Sequence, residues 1–156
     1  FYFGPGLSML SANENGRVAN CQWRQTDILH LETTVERVVA GNVPFVFYDR
    51  NATLAFAQAF TDLERLDAVA WALLAEPPLL DGFSKFWHTR HSVPQHADRM
   101  ERRQAEFLVR ERVPLDRIVR IGVMEGNRAT EATAILAAAG VNLPVVVKPD
   151  WYFLGQ

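Results

Sequence analysis

Apolar and polar positions along this chain keep two different periods, and the changes of period mark its elements. Phe45-Val46-Phe47-Tyr48, after Pro44, is an apolar run of strand length, as are Ile118 to Met124 and Val145 to Val147. Asp27 to Leu31 alternates loosely and predicts a further strand. Val35, Val38 and Val39 fall at helical spacing behind Thr33 or Thr34, either of which can cap, and Gly41-Asn42 stops that helix. Asn127 to Ala139 is an Ala-rich helix closed by Gly140. Asn51 stands at an N-cap position before Leu54, Phe56, Ala57 and Phe60, which predicts a helix there. A second helix from Asp62 to Ala75 carries Leu63, Leu66, Val69, Ala70 and Leu73, and Pro77-Pro78 ends it.

Other stretches have no clear period. Ser11 to Gln25 is polar and reads as loop with at most a short strand; Gly82 to His96 reads as exposed loop. Asp98 to Arg112 begins with helix-forming residues, yet Phe107-Leu108-Val109 suits a strand, and propensity does not choose between them. Phe1-Tyr2-Phe3 reads as the end of a strand entering a turn at Pro5-Gly6. A chain that opens there, without Met or a charged leader, reads as a fragment with an N-terminal piece of the fold missing. No repeat or linker divides the 156 residues, which are expected to form a single α/β (α+β) domain with short strands.

Composition narrows the classes of function. Sixteen Lys+Arg against eighteen Asp+Glu give a net charge of −2, which excludes a strongly basic nucleic-acid binder; any contact with DNA has to use a local patch. No apolar stretch approaches the roughly 18 residues that span a bilayer, so no membrane partner is expected. The single Cys21 excludes an intramolecular disulfide framework and fits a reducing, cytoplasmic setting, with the residue itself a small apolar filler. The sequence has no GxxxxGK[ST], GxGxxG, HExxH or GxSxG. His88, His91 and His96 could in principle meet a zinc ion, but no carboxylate stands at ligand spacing, and exposed loop histidines are the plainer reading. No metal is expected.

Two constellations remain. Phe83 to His91 interleaves Phe83, Phe86 and Trp87 with Lys85 and Arg90, which suits single-stranded nucleic acid because flat rings stack on bases while cations meet phosphates. The same aromatics would equally serve as core anchors of a loop. The second is Arg102-Arg103-Gln104-Ala105-Glu106-Phe107-Leu108-Val109, where a Glu borders an apolar run. Partly desolvated there, it could act on a substrate hydroxyl.

Arg103-Gln104-Ala105-Glu106-Phe107-Leu108-Val109, followed by Val113-Pro114 and Ile121-Gly122-Val123, resembles the core signature of the DarT toxins. These are DNA ADP-ribosyltransferases encoded beside a DarG antitoxin. Phe1-Tyr2-Phe3-Gly4-Pro5 with Met9-Leu10 is similar to that family's FYFxPRSxML run, Phe45 to Phe56 to its strand-turn-helix with an Asp-rich turn, and Val145 to Phe153 to its ending. The resemblance implies an ADP-ribosyltransferase fold of two small packed sheets with flanking helices, holding NAD as substrate. It also implies transfer of ADP-ribose to a base of single-stranded DNA, thymidine favoured, with Glu106 as the catalytic residue. Tyr2, Phe3 and Gly6 fall in the NAD-binding run. Asn51, Lys85, Phe86, Trp87, Arg90 and Arg103 are the expected DNA contacts, and a DarG-like macrodomain antitoxin is the implied protein partner.

The sequence departs from the family pattern at Gly6, where the family has an Arg proposed to contact NAD, and at Asn51, where a His is expected. The resemblance implies a His-containing NAD motif ahead of the Phe-Tyr-Phe run, the piece of the fold expected to be missing. Those departures keep two other readings in play. One is an inactive or truncated domain that binds DNA or antitoxin without turnover; the other is an ADP-ribosyltransferase acting on protein.

Overall fold

β-Branched and aromatic runs form the strands here, and almost every strand is short. The computed structural model describes residues 1–5, 10, 19–80 and 85–152, with the backbone alone at 80, 85 and 86. The strands are β1 (His30–Glu32), β2 (Phe45–Tyr48), β3 (Ala59–Phe60), β4 (Leu79–Leu80), β5 (Lys85–Phe86), β6 (Phe107–Val109), β7 (Arg120–Val123) and β8 (Val145–Val147). The α-helices are α1 (Val35–Val39), α2 (Trp71–Ala75), α3 (Arg99–Arg102) and α4 (Gly126–Ala138). The chain divides into two compact units, one of residues 1–7 and 44–111, the other of 8–43 and 112–154.

The first unit holds the antiparallel sheet β3-β2-β6 and the ribbon β4-β5. Phe47 pairs with Phe60 on one side and Phe107 on the other, so three rings line up across the strands. The Phe47 ring stacks on Phe60 at 5.2 Å and on Phe107 at 6.2 Å, and Phe3 meets both Phe47 and Phe107 edge-on. Such cross-strand aromatic pairs hold a small sheet together. Phe47 is fully buried.

The second unit holds the mixed sheet β1-β7-β8, antiparallel between β1 and β7 and parallel between β7 and β8. The parallel pair needs a crossover, and α4 supplies it, packing on both strands. Gly140 closes that helix with a φ of +67°, a conformation glycine adopts without strain. Two stretches of the resemblance meet in this unit. The Tyr152 hydroxyl donates to the carbonyls of Ile28 at 2.6 Å and Gly122 at 3.3 Å, and Trp151 lies over Gly122. Burial pushes the Tyr152 phenol up to about 12.

Several expectations hold. Thr34 caps α1, its hydroxyl accepting from the Arg37 N–H, and strands form over Phe45–Tyr48 and Val145–Val147. The undecided stretch splits in two, α3 first and β6 after it.

Others need correction. Residues 51–60 do not make a helix: Asn51 caps a turn, and the chain returns as β3 so that Phe60 reaches the aromatic row. The expected helix over 62–75 is a 3-10 helix, Leu63–Ala68, then α2. The break leaves Val69 extended and buried, and it lets Trp71 meet Phe3 at 5.2 Å. Lys85–Phe86 is a strand inside the expected loop, and Gln25–Asp27 is a 3-10 helix, with the strand of that region at His30–Glu32.

Candidate functional site

Side chains in a strand alternate between faces, and Glu106 is placed by that rule. Its neighbours Ala105 and Phe107 are both buried in the core, so Glu106 turns to the opposite face. The opening segment lies alongside it. Tyr2 pairs with Glu106 in an antiparallel bridge, with Phe3 N–H donating to the Ala105 carbonyl at 3.2 Å and Phe107 N–H to the Phe1 carbonyl at 2.8 Å. On the other side the Tyr48 N–H donates to the Glu106 carbonyl at 2.8 Å. Alternation then puts Tyr2, Glu106 and Tyr48 in one row, opposite the phenylalanine row.

The two residues of the Phe-Tyr-Phe run therefore part company. Tyr2 is 38% exposed beside the carboxylate; burial and the Glu106 charge both raise its phenol above the ordinary value. Phe3 faces the core between Phe47, Trp71 and Phe107, where it supports the site. Gly6 lies outside the described residues.

The loop between β2 and β3 borders the carboxylate. Asp49 closes its base: buried, it accepts from the Gln58 N–H at 2.9 Å and from Arg50 Nε at 2.9 Å. That ion pair holds the Arg50 guanidinium above its usual pKa and sets it over the Phe56 ring at 5.2 Å. Farther along the loop the Ala52 N–H donates to Glu106 Oε1 over a long 3.4 Å. Asn51, an expected DNA contact, has its side chain engaged: Nδ2 donates to Gln104 Oε1 at 2.8 Å, and Oδ1 accepts from Thr53.

The other expected DNA contacts fall into two groups. Arg103 is turned inward instead, 6% exposed, with Nη1 donating to the Leu73 carbonyl in the middle of α2. Its guanidinium lies 4.3 Å from the centre of the Trp87 ring, and burial brings its pKa down to about 10. Trp87 is half-buried, its indole N–H donating to the Glu76 carbonyl at 3.2 Å. Arg103 and Trp87 thus tie α2 to the segment after β5, the anchoring alternative for this aromatic set. Lys85 and Phe86 lie on β5, and Arg90 is exposed in the turn beyond it.

Among the described residues no group of three or more His, Cys, Asp or Glu converges to hold a metal ion. No helix among them is long and apolar enough to cross a membrane. The motif alone does not point to Tyr48 or Ala52, nor to what Gln104 does. A signal for Gln104 exists, since it precedes Glu106 by two residues, but its partner Asn51 is 53 residues away.

Comparison with known proteins places this arrangement. The family described as ssDNA thymidine ADP-ribosyltransferase, DarT, matches residues 1–153. A DNA ADP-ribosyl transferase of Thermus aquaticus is 31% identical over 98% of this chain, and the chain spans 62% of that relative's length. The structure of Thermus sp. 2.9 DarT in complex with NAD+ superposes with a TM-score of 0.80 at 30% identity, over 97% of this chain and 70% of that one. The same protein in complex with ADP-ribosylated ssDNA gives 0.78 at 30% identity, over 97% and 66%. With the signature residues in order and the two-sheet fold in common, the chain belongs to the DarT family.

Proposed function

We propose that this chain transfers ADP-ribose from NAD to a base of single-stranded DNA, thymidine being the favoured target, with Glu106 as the catalytic carboxylate. The observation that carries this reading is the Tyr2–Glu106–Tyr48 row in a chain of this family, with the Glu106 carboxylate met by the Ala52 N–H. In the transfer the bond from the ribose C1 to the nicotinamide nitrogen breaks, and its electron pair leaves with neutral nicotinamide. An atom of the base bonds to C1 and releases its proton. The sugar passes through an oxocarbenium-like state, and a fixed carboxylate beside it stabilises the developing positive charge and holds the ribose 2′-hydroxyl. Tyr2, exposed beside Glu106, is placed to pack against NAD. Lys85, Phe86 and Arg90 are the proposed DNA contacts, on a segment whose base Trp87 and Arg103 hold. The single Cys21, free and half-buried, fits a cytoplasmic setting. A DarG-like macrodomain is the proposed antitoxin partner.

The Glu106→Gln variant tests the assignment, because it keeps the shape and removes the charge. Incubated with labelled NAD and a mixed-sequence single-stranded oligonucleotide, it is expected to lose about 100-fold or more in transfer rate while still binding NAD. Transfer at the parent rate refutes the role of Glu106. Oligonucleotides lacking thymine, labelled as well as the mixed pool, refute the base preference alone. Gly6, standing where the family has an NAD-contacting Arg, favours a second reading: binding of DNA or antitoxin without turnover. In that case the parent chain retains oligonucleotide and transfers no label.

A further inference from the structure

Gln104 uses both ends of its amide. Its Nε2 donates to the Met100 carbonyl at 3.0 Å, back along α3, and its Oε1 accepts from Asn51 Nδ2 at 2.8 Å. Asn51 is fastened at four further points, one of them its carbonyl, which accepts from the Leu54 N–H at 3.2 Å. Its own N–H donates to the Glu101 carbonyl at 3.1 Å, and its Oδ1 accepts from the Thr53 N–H at 2.9 Å and the Thr53 hydroxyl at 2.6 Å. Residues 51 and 53 are therefore pinned to the segment just before Glu106. Ala52 sits between them. Its N–H belongs to the Asn51–Ala52 peptide plane and cannot turn independently of it. That plane directs the bond to Glu106 Oε1, so Gln104 and the carboxylate two residues on are joined through a loop distant in sequence.

We propose that Gln104 is a positioning residue: through Asn51 it fixes the Ala52 N–H that orients the Glu106 carboxylate. Its consequence for turnover rests on the assignment of Glu106 above; its consequence for the loop does not. A carboxylate left to rotate about its side-chain torsions spends only part of its time aligned with the ribose, whereas one held by a main-chain donor is preorganised. Loss of the clamp therefore acts on kcat and leaves NAD binding, which other residues carry, largely unchanged.

The test uses the full chain labelled with nitrogen-15, and its first readout needs no activity. A main-chain amide that donates to a carboxylate changes its proton shift as that carboxylate titrates, so the Ala52 amide should move with pH in the parent and stay still in Glu106→Gln. Gln104→Leu, which keeps bulk and loses both amide bonds, is expected to abolish most of that movement. Gln104→Glu still offers Asn51 an acceptor and should preserve it. In the labelled-NAD assay Gln104→Leu should lower kcat by about 10- to 100-fold, with KM for NAD within about twofold. An Ala52 amide that titrates in Gln104→Leu as it does in the parent overturns the proposal, and so does an unchanged kcat. If the parent transfers no label, or Glu106→Gln transfers at the parent rate, the functional reading fails instead, and the amide shifts still decide the positioning role.

Discussion

Gly122→Ala puts a single methyl group where the second unit has no room. Gly122 lies on β7 between His30 of β1 and Val146 of β8, under the indole of Trp151. A Cβ at that position would meet Trp151 Cζ3 at 2.3 Å and Cε3 at 2.5 Å. Ordinary contact between carbons lies near 3.5–4 Å, so the ring has to retreat by about 1 Å or more. Its neighbours crowd that retreat: the His30 ring centre lies 5.7 Å from its own in an edge-to-face pair, and Arg120 and Lys148 sit 5.9 and 5.8 Å from its centre. Overpacking of this kind costs about 1–3 kcal/mol. For a chain of this size each kcal/mol lowers Tm by about 2–4 °C, so a fall of about 2–12 °C is expected. Thermal unfolding followed by circular dichroism reads it directly. Trp151→Leu should relieve the clash, so the alanine should cost much less in that background. A Gly122→Ala protein melting within 1 °C of the parent, or equal costs in both backgrounds, refutes the packing argument.

Two further outcomes follow from the same physics. The Tyr152 phenol is raised by burial from 10 to about 12, so its protonated form stabilises the fold. That stability is complete below pH 10 and is lost as the pH rises from 10 towards 12. Tyr152→Phe should be less stable than the parent at pH 7 by about 1 kcal/mol and should decline less steeply above pH 10; parallel pH profiles would sink this account. Trp87→Ala removes the ring under Arg103 and the bond to Glu76, and should cost on the order of 2–3 kcal/mol, short of the roughly 3–5 of a fully buried aromatic. Arg90→Ala should leave Tm unchanged and weaken retention of a single-stranded oligonucleotide; a Trp87→Ala protein that melts like the parent shows that Trp87 is no anchor.

What the sequence discloses depends on how local the cause is. Thr34, Gly140 and the run Val145–Val147 act within a few residues of themselves, and each element they mark is present. Phe60 and Val69 sit in equally helical surroundings, but their conformations are settled by Phe47, Phe3 and Trp71 in the tertiary core, and burial overrides propensity there. The site divides in the same way. Glu106 stands out in the sequence because the motif falls on it; the strand alternation that turns its side chain does not stand out, since propensity leaves that stretch undecided. The inward turn of Arg103 is not legible, since composition cannot tell a cation that meets phosphate from one that meets a carbonyl and an indole. The Ile121-Gly122-Val123 and Trp151-Tyr152 parts of the signature prove to be packing partners of each other, so part of the family pattern records close contact rather than chemistry.

The two three-stranded sheets are interleaved along the chain, so they cannot form in the order in which their first strands appear. The strands β2, β3 and β6, the last directly after Glu106, all exist once residue 109 has been synthesised. The other sheet begins earlier, at His30, yet waits for β7 from Arg120 and for β8 at Val145–Val147. On the ribosome, β1 is therefore an edge without its partner through the whole time that the sheet around Glu106 is being made. Unpaired edges invite wrong pairings. This one is three residues long with polar residues at both ends, His30 and Glu32, and that brevity limits what a growing or neighbouring chain can add to it.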